Sequence, residues 1–156
     1  MASSDATERF AASASELGIE VAVRRYPEGT RTAVDAAAAV GCDVDQIVKS
    51  LVLMAGDQPI LVLCSGANRV DLSKVGAEFD GKVRMATADE VRAATGFAIG
   101  GAPPFGHPAP LPTLVDPHLL TFDEVWAAAG RPDSVFPLTP EALVAGSGAR
   151  PVDIAT

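Results

Sequence analysis

A lysine stands where a carbon side chain is expected. Lys49 lies inside the apolar run Ile47-Val48-Lys49-Ser50-Leu51-Val52-Leu53-Met54. An alternating strand there would put Lys49 on one face with Leu51 and Leu53. Burying an ammonium on that face is costly unless it is paired or opens on a cleft. At a cleft it could hold a phosphate, orient a water or stabilise an oxyanion. The plainer alternative is a strand-edge lysine whose stem covers apolar surface while its amine reaches water.

A second segment has the composition of a ligand-facing wall. Gly96-Phe97-Ala98-Ile99-Gly100-Gly101-Ala102-Pro103-Pro104-Phe105-Gly106-His107 holds four glycines and two prolines in twelve residues. Glycine permits close backbone approach, and adjacent prolines fix the path of the chain. An ordinary surface turn would have the same composition. His107 adjoins this segment and could line a pocket, but no acid or nucleophile accompanies it, so a polar loop residue is the simpler reading. His118 follows Asp116-Pro117 and reads as a turn residue, with Asp116 capping that turn. The chain has no P-loop, nucleophile elbow, zinc motif or dinucleotide fingerprint.

The elements that must position these residues are legible from periodicity. Ser4 to Leu17 reads as a helix with Ser4 or Asp5 as cap and Gly18 as stop. Ile19 to Val23 alternates like a strand. Tyr26-Pro27-Glu28-Gly29 reads as a loop, and Thr32 to Val40 as an alanine-rich helix between Thr32 and Gly41. Ile47 to Met54 and Ile60 to Cys64 form a predicted hairpin across Ala55-Gly56-Asp57-Gln58-Pro59. A helix over Asp71 to Phe79, a strand over Lys82 to Met85 and a helix over Ala88 to Ala94 capped by Thr87 precede the glycine segment. Leu114 to Asp116 follows as a strand, and Phe122 to Ala128 fits helix and strand equally. Ser134 to Leu138 is extended, Thr139-Pro140-Glu141 opens a helix, and Pro151 to Ile154 reads as an edge strand. The order predicts an α+β or α/β fold with a mixed or antiparallel sheet.

With 156 residues, 48% hydrophobic, the chain is expected to form one domain over 1–156 with an aliphatic core. No apolar run reaches membrane-spanning length, and Met1-Ala2-Ser3-Ser4-Asp5 has no signal-peptide character, so a cytoplasmic protein off the membrane is expected. Cys42 and Cys64 lack metal-ligand spacing; Cys64 fits as a small core residue, and Cys42 is assigned no role. A formal net charge of −8 argues against a broad nucleic-acid face and against DNA binding. It allows contact with the tip of an RNA through a few positive groups. Arg24, Arg25 and Arg31 are the candidates for such a patch.

Taken in order, these segments resemble the YbaK/prolyl-tRNA synthetase editing-domain superfamily of aminoacyl-tRNA deacylases. Val34 to Gly41, followed by Asp45 to Leu51, resembles its helix, turn and lysine-bearing strand. Asn68 to Val75 resembles its polar loop and helix, and Ala94 to His107 its glycine-rich pocket segment. Leu111 to Asp116 and the tail from Val125 to Ile154 complete a resemblance that covers nearly the whole chain. It implies a mixed, largely antiparallel, barrel-like sheet flanked by helices. It also implies a freestanding hydrolase that cleaves the ester of mischarged aminoacyl-tRNA without metal or cofactor. Lys49 would be the catalytic residue, acting on charge at the terminal phosphate or the aminoacyl carbonyl, with proton transfer leaning on the substrate's own ribose hydroxyl. Ser50 would add a hydrogen bond. Gly100, Gly101, Pro104, Phe105 and Gly106 would form the amino-acid pocket, and Gly130 would belong to the same binding region. The implied partners are the acceptor end of aminoacyl-tRNA, tRNA(Pro) above all, and prolyl-tRNA synthetase. The alternative is a non-catalytic module that binds that acceptor end or a synthetase. Where the cysteinyl-specific branch has Ser-Gly-Gly and a pocket serine, this chain has Ala128-Ala129-Gly130 and Pro103. Alanine, serine, threonine and cysteine all stay open as the discarded amino acid.

Overall fold

The hairpin around Lys49 is the centre of the sheet. The structure, a computed structural model, describes residues 5–27, 29–30, 32–79 and 81–156. Ser4, Glu28 and Arg31, named above as cap, loop and patch residues, lie outside that set. Strand β2 (Ile47–Ala55) and strand β3 (Gln58–Ser65) pair antiparallel from Val48↔Ser65 to Ala55↔Gln58. Gly56, at φ +63°, supplies the left-handed turn conformation that the short connection requires. Ile60 to Cys64 is fully buried, as expected of a central strand covered on both faces.

The other strands extend outward. In chain order they are β1 (Arg24–Arg25), β4 (Val83–Met85), β5 (Thr113–Val115), β6 (Val125–Ala128), β7 (Ser134–Leu138) and β8 (Arg150–Pro151). The sheet order is β1-β7-β6-β2-β3-β5-β8, with β4 also on β2. The β1/β7, β6/β7, β2/β3 and β2/β4 pairs are antiparallel; β2/β6, β3/β5 and β5/β8 are parallel. The fold is mixed α+β, with helices flanking the sheet.

Strand β2 has an interrupted outer edge. The Ile47 carbonyl accepts from the Gly66 N–H at 2.7 Å, so odd-numbered residues of β2 turn their backbone groups toward β3. Even-numbered residues turn theirs away. Val48 is paired with Ala127 of β6, and the Val52 carbonyl accepts from the Ala86 N–H at 3.1 Å, where β4 begins its contact. Between them Ser50 has no strand beside it among the described residues.

Among the described residues five α-helices flank the sheet, and their caps follow the sequence closely. Asp5 caps α1 (Ala6–Glu16), which buries Phe10 and Ala14. Thr32 caps α2 (Ala33–Val40), which ends on Gly41 at φ +79°. Asp71 caps α3 (Leu72–Ala77); a Thr87–Glu90 capping box opens α4 (Ala88–Thr95); Thr139 caps α5 (Pro140–Ser147) with proline in its first turn. The largest core cluster centres on Phe10, Phe105 and Phe136, whose ring centroids lie 4.9 to 6.0 Å apart. A second cluster joins β3 to Val75 and Ile154, and a third joins α2 to Ile47, Trp126 and Val135.

Three expectations about elements change. Ile19, Val21 and Val23 do alternate with exposed neighbours and pack on the main core, but no ladder forms there; pairing is confined to Arg24 and Arg25. Burial alone therefore produces the period of two. The final strand lies at Arg150–Pro151, beside Leu114 and Val115, while Ile154 serves as a core plug. Phe122 to Ala128 resolves as a strand over Val125–Ala128, because Trp126 and Ala127 are paired on both edges, by β2 and by β7.

Candidate functional site

The interrupted edge of β2 opens into a cleft of about 600 Å³. Its walls are the start of α2, residues Ile47 to Leu51 of β2, the loop residues Ile99, Gly100 and Ala102, and Trp126 to Ala128 of β6. Lys49 is the one charged residue among the described residues that line it, and no carboxylate, imidazole or thiol does so.

Lys49 is half-buried, and its ammonium donates to the backbone carbonyl of Asn68. An ammonium has three N–H donors. Asn68 takes one, so two can face a ligand. Asn68 is itself held: its Nδ2 donates to Asp116 Oδ2 at 2.8 Å. Asp116 is only 3% exposed, and it organises the surrounding loop. Its Oδ2 also accepts from the Ser65 N–H at 3.1 Å, and its Oδ1 from the His118 N–H at 3.0 Å. Asp116 does cap the turn after β5, as expected, and it also fixes the segment that anchors Lys49. Sequence reasoning missed that second role. A carboxylate directly after the wholly buried strand Thr113–Val115 was the available signal.

Cys64 lies opposite Lys49 across the hairpin. Burial pushes its thiol up to about 11; the nearby Lys49 charge opposes this and Asp116 adds to it. A protonated thiol is no nucleophile at neutral pH, so Cys64 is a core residue, as its place in the apolar run suggested.

The residues expected from the resemblance fall into three groups. Lys49, Ser50 and Gly100 meet in the cleft. Gly101 and Gly130 lie just behind it and join the loop to the β6–β7 turn, with the Gly130 N–H donating to the Gly101 carbonyl at 2.9 Å. A Cβ on Gly101 would lie 2.9 Å from the Arg131 backbone, and one on Gly130, at φ +107°, 2.6 Å from the Ala6 carbonyl oxygen. Both glycines are there for close packing. Pro104, Phe105 and Gly106 are not brought to the Lys49 cleft. They line a separate cavity of about 260 Å³ with His107 and α5. Phe105 is buried against Phe10 and Phe136, because a large aromatic ring gains most by leaving water. The wall is thus Ile99 to Ala102, and residues 104–106 anchor it.

The remaining polar candidates lie outside the cleft. His107 Nε2 pairs with the Pro103 carbonyl at 2.8 Å, and burial holds the ring below its ordinary value. His118 Nε2 meets Asp45 Oδ2 at 2.7 Å. Arg25 is paired with Asp133 at 2.9 Å. Arg24 lies over the ring of Trp126, 5.0 Å from its centroid, and so stands beside the cleft.

A mixed sheet with an interrupted central edge, a lysine lining the cleft there and a glycine loop beside it define a small-ligand cleft. Residues 27–145 match the family model of the aminoacyl-tRNA editing domain, and the chain belongs to that family. It is 34% identical to the uncharacterized protein YwhH of Bacillus subtilis, over 78% of each chain. It is 26% identical to EbsC of Enterococcus faecalis, a proposed Cys-tRNA(Pro)/Cys-tRNA(Cys) deacylase, over 84% of this chain and 81% of that one. A crystal structure of a proposed trans-editing enzyme for prolyl-tRNA synthetase superposes with a TM-score of 0.93 at 45% identity, covering 99% of both chains. The descriptions of these relatives are their own. Among the described residues, no helix is long and apolar enough to cross a membrane.

Proposed function

We propose that this chain is a trans-acting deacylase that hydrolyses the ester of mischarged aminoacyl-tRNA, with tRNA(Pro) carrying a small amino acid as its substrate. The observation that carries the reading is Lys49: the one charged side chain among the described residues that line the cleft, its ammonium donating to the Asn68 carbonyl with two further donors. In such surroundings a positioned ammonium stabilises developing negative charge far better than water does. An ester is already activated, so placing it and stabilising the oxyanion is enough to let water attack. Water adds to the carbonyl carbon, and the bond to the ribose oxygen breaks. That oxygen takes the proton, relayed by the neighbouring ribose hydroxyl, and the free amino acid leaves. This route uses no protein base, in keeping with the described residues that line the cleft. Arg24, beside Trp126, supplies a positive group for the terminal phosphates. Prolyl-tRNA synthetase is the enzyme whose errors supply the substrate.

The test is release of amino acid from alanyl-, seryl-, threonyl- and cysteinyl-tRNA(Pro) by the wild type and by Lys49→Ala. Loss of one oxyanion donor lowers kcat by about 10²–10³. Equal rates would remove Lys49 from the mechanism. Tight retention of uncleaved aminoacyl-tRNA by the wild type would make the chain a binding module instead.

A further inference from the structure

Residues 104–107 of the glycine loop form one wall of the second cavity, which shares no lining residue with the Lys49 cleft. That cavity measures about 260 Å³ and lies between the end of α1, the loop, the start of β5 and α5. The deacylase reading makes no use of it.

Its side chains offer hydrogen-bond acceptors. The Pro103 carbonyl can only accept, so His107 Nε2 carries the proton of that 2.8 Å bond. Burial holds the ring below its ordinary value, which leaves Nδ1 a bare lone pair. Nδ1 has no partner among the described residues. Ser50 Oγ is the one side-chain nitrogen or oxygen among them that is both unpaired and wholly buried, so Nδ1 of the half-buried His107 keeps accessible surface. Thr113 Oγ1 donates its proton to the Leu111 carbonyl at 2.9 Å, and Ser147 Oγ donates to the Leu143 carbonyl at 2.6 Å. Glu16 adds the one carboxylate among the described residues that line the cavity, and no lysine or arginine is among them. The carbon surface around these acceptors comes from Leu17, Pro104, Phe105, Pro110 and Leu111. Leu17 is 51% exposed, so apolar surface beside the cavity is left uncovered.

We propose that this cavity is a second binding site, separate from the cleft, for a small primary amine with an apolar body. An ammonium brings three N–H donors and a positive charge to a lining of acceptors with one carboxylate. Its carbon frame covers Leu17 and its apolar neighbours and leaves water. An acid would instead bring its charge beside Glu16 with no lysine or arginine to meet it. A free amino acid carries such a carboxylate, so the product released in the cleft is not the ligand of this site.

The experiment is calorimetric titration of the full chain with phenethylamine at neutral pH, compared with phenylacetate, phenethyl alcohol and phenethyltrimethylammonium. The amine should bind saturably. It should bind about tenfold or more tighter than the alcohol, which lacks the charge, and than the quaternary ion, which lacks the N–H donors. Phenylacetate should not bind. Glu16 is exposed, so Glu16→Gln keeps the fold, and loss of a solvent-reached ion pair should weaken the amine by about threefold. His107→Ala should weaken it by about tenfold, as loss of a hydrogen bond from a charged donor does. Lys49→Ala should bind the amine as the wild type does. Absence of saturable binding, phenylacetate bound as well as the amine, or unchanged affinity in Glu16→Gln would overturn the inference. Amine binding lost in Lys49→Ala would put the ligand in the cleft and overturn the separate site. The readout is binding, so failure of the deacylase reading leaves this test intact.

Discussion

Replacing Asp116 tests whether Lys49 is positioned through a chain of neighbours. Asp116 accepts from Ser65 N–H, Asn68 Nδ2 and His118 N–H at 3.1, 2.8 and 3.0 Å. A hydrogen bond to a charged acceptor contributes about 1.5–3 kcal/mol when shielded from water. Only the Ser65 bond is fully buried; the other two are partly reached by solvent. Asp116→Ala should therefore lose roughly 3–6 kcal/mol of stability: one bond at full value and two at about half. Asp116→Asn keeps one oxygen. Turned so that this oxygen serves Ser65 and Asn68, it forfeits only the His118 bond and costs roughly 1–2 kcal/mol. Asn68→Ala is the informative variant for the site, because it removes the Asn68 Nδ2 bond to Asp116 while the Ser65 and His118 bonds of that carboxylate remain. Lys49 should then lose its fixed anchor, lowering kcat by about tenfold or more while KM changes little, since misplacement of a catalytic group acts on the transition state. Urea unfolding and deacylation kinetics, measured together, check both parts. An Asp116→Ala variant within about 1 kcal/mol of wild type would refute the shielded network. An Asn68→Ala variant with unchanged kcat would refute the positioning of Lys49 through Asn68.

Two further outcomes follow from the second cavity. Phe105→Ala empties a buried aromatic site and should cost about 3–5 kcal/mol in denaturant unfolding. The relative rates on different aminoacyl esters should keep their order; a reordering would return Phe105 to the pocket wall. For His107, burial lowers the imidazole below its ordinary 6.5, and the Pro103 hydrogen bond only partly opposes this. The unfolded chain then binds the proton more readily, so this contribution to stability is complete above about pH 6.5 and is lost as the pH falls toward the folded value. His107→Gln should flatten that part of the stability profile, and an unchanged slope would contradict the assignment.

Local chemistry accounts for what was legible in the sequence. Helix caps such as Thr32, Asp71, Thr87 and Thr139 depend on side chains two or three residues away, so each could be read in place. The central hairpin was equally local. Lys49 stood out because its cost is set by its immediate neighbours. What could not be read was pairing at a distance. The alternation of Ile19 to Val23 looks the same whether a ladder or a core lies beside it. Phe105 and Gly100 belong to one loop and have the same local context, yet one faces the aromatic core and the other the cleft. Asp116 depends on Ser65 and Asn68, about fifty residues upstream.

The interrupted edge of β2 explains why the two informative segments have to act together. Strand β6 leaves β2 after Ala127, and its continuation is held elsewhere, because the Gly130 N–H bonds to Gly101 instead of to β2. The glycine loop thus keeps β6 away from Ser50 as well as facing the cleft. A side chain at Gly101 or Gly130 would push that junction apart by collision with Arg131 or Ala6. Closing the gap would complete the sheet and abolish the site, and opening it further would separate Gly100 from Lys49. The Ser50 backbone at that edge has no strand partner among the described residues and borders the cleft. On the proposed reading the substrate lies at the edge that β6 leaves open. That placement also reconciles a chain of net charge −8 with an RNA partner: recognition is concentrated where one ammonium and one open edge meet the acceptor tip, and the rest of the surface need not attract phosphate.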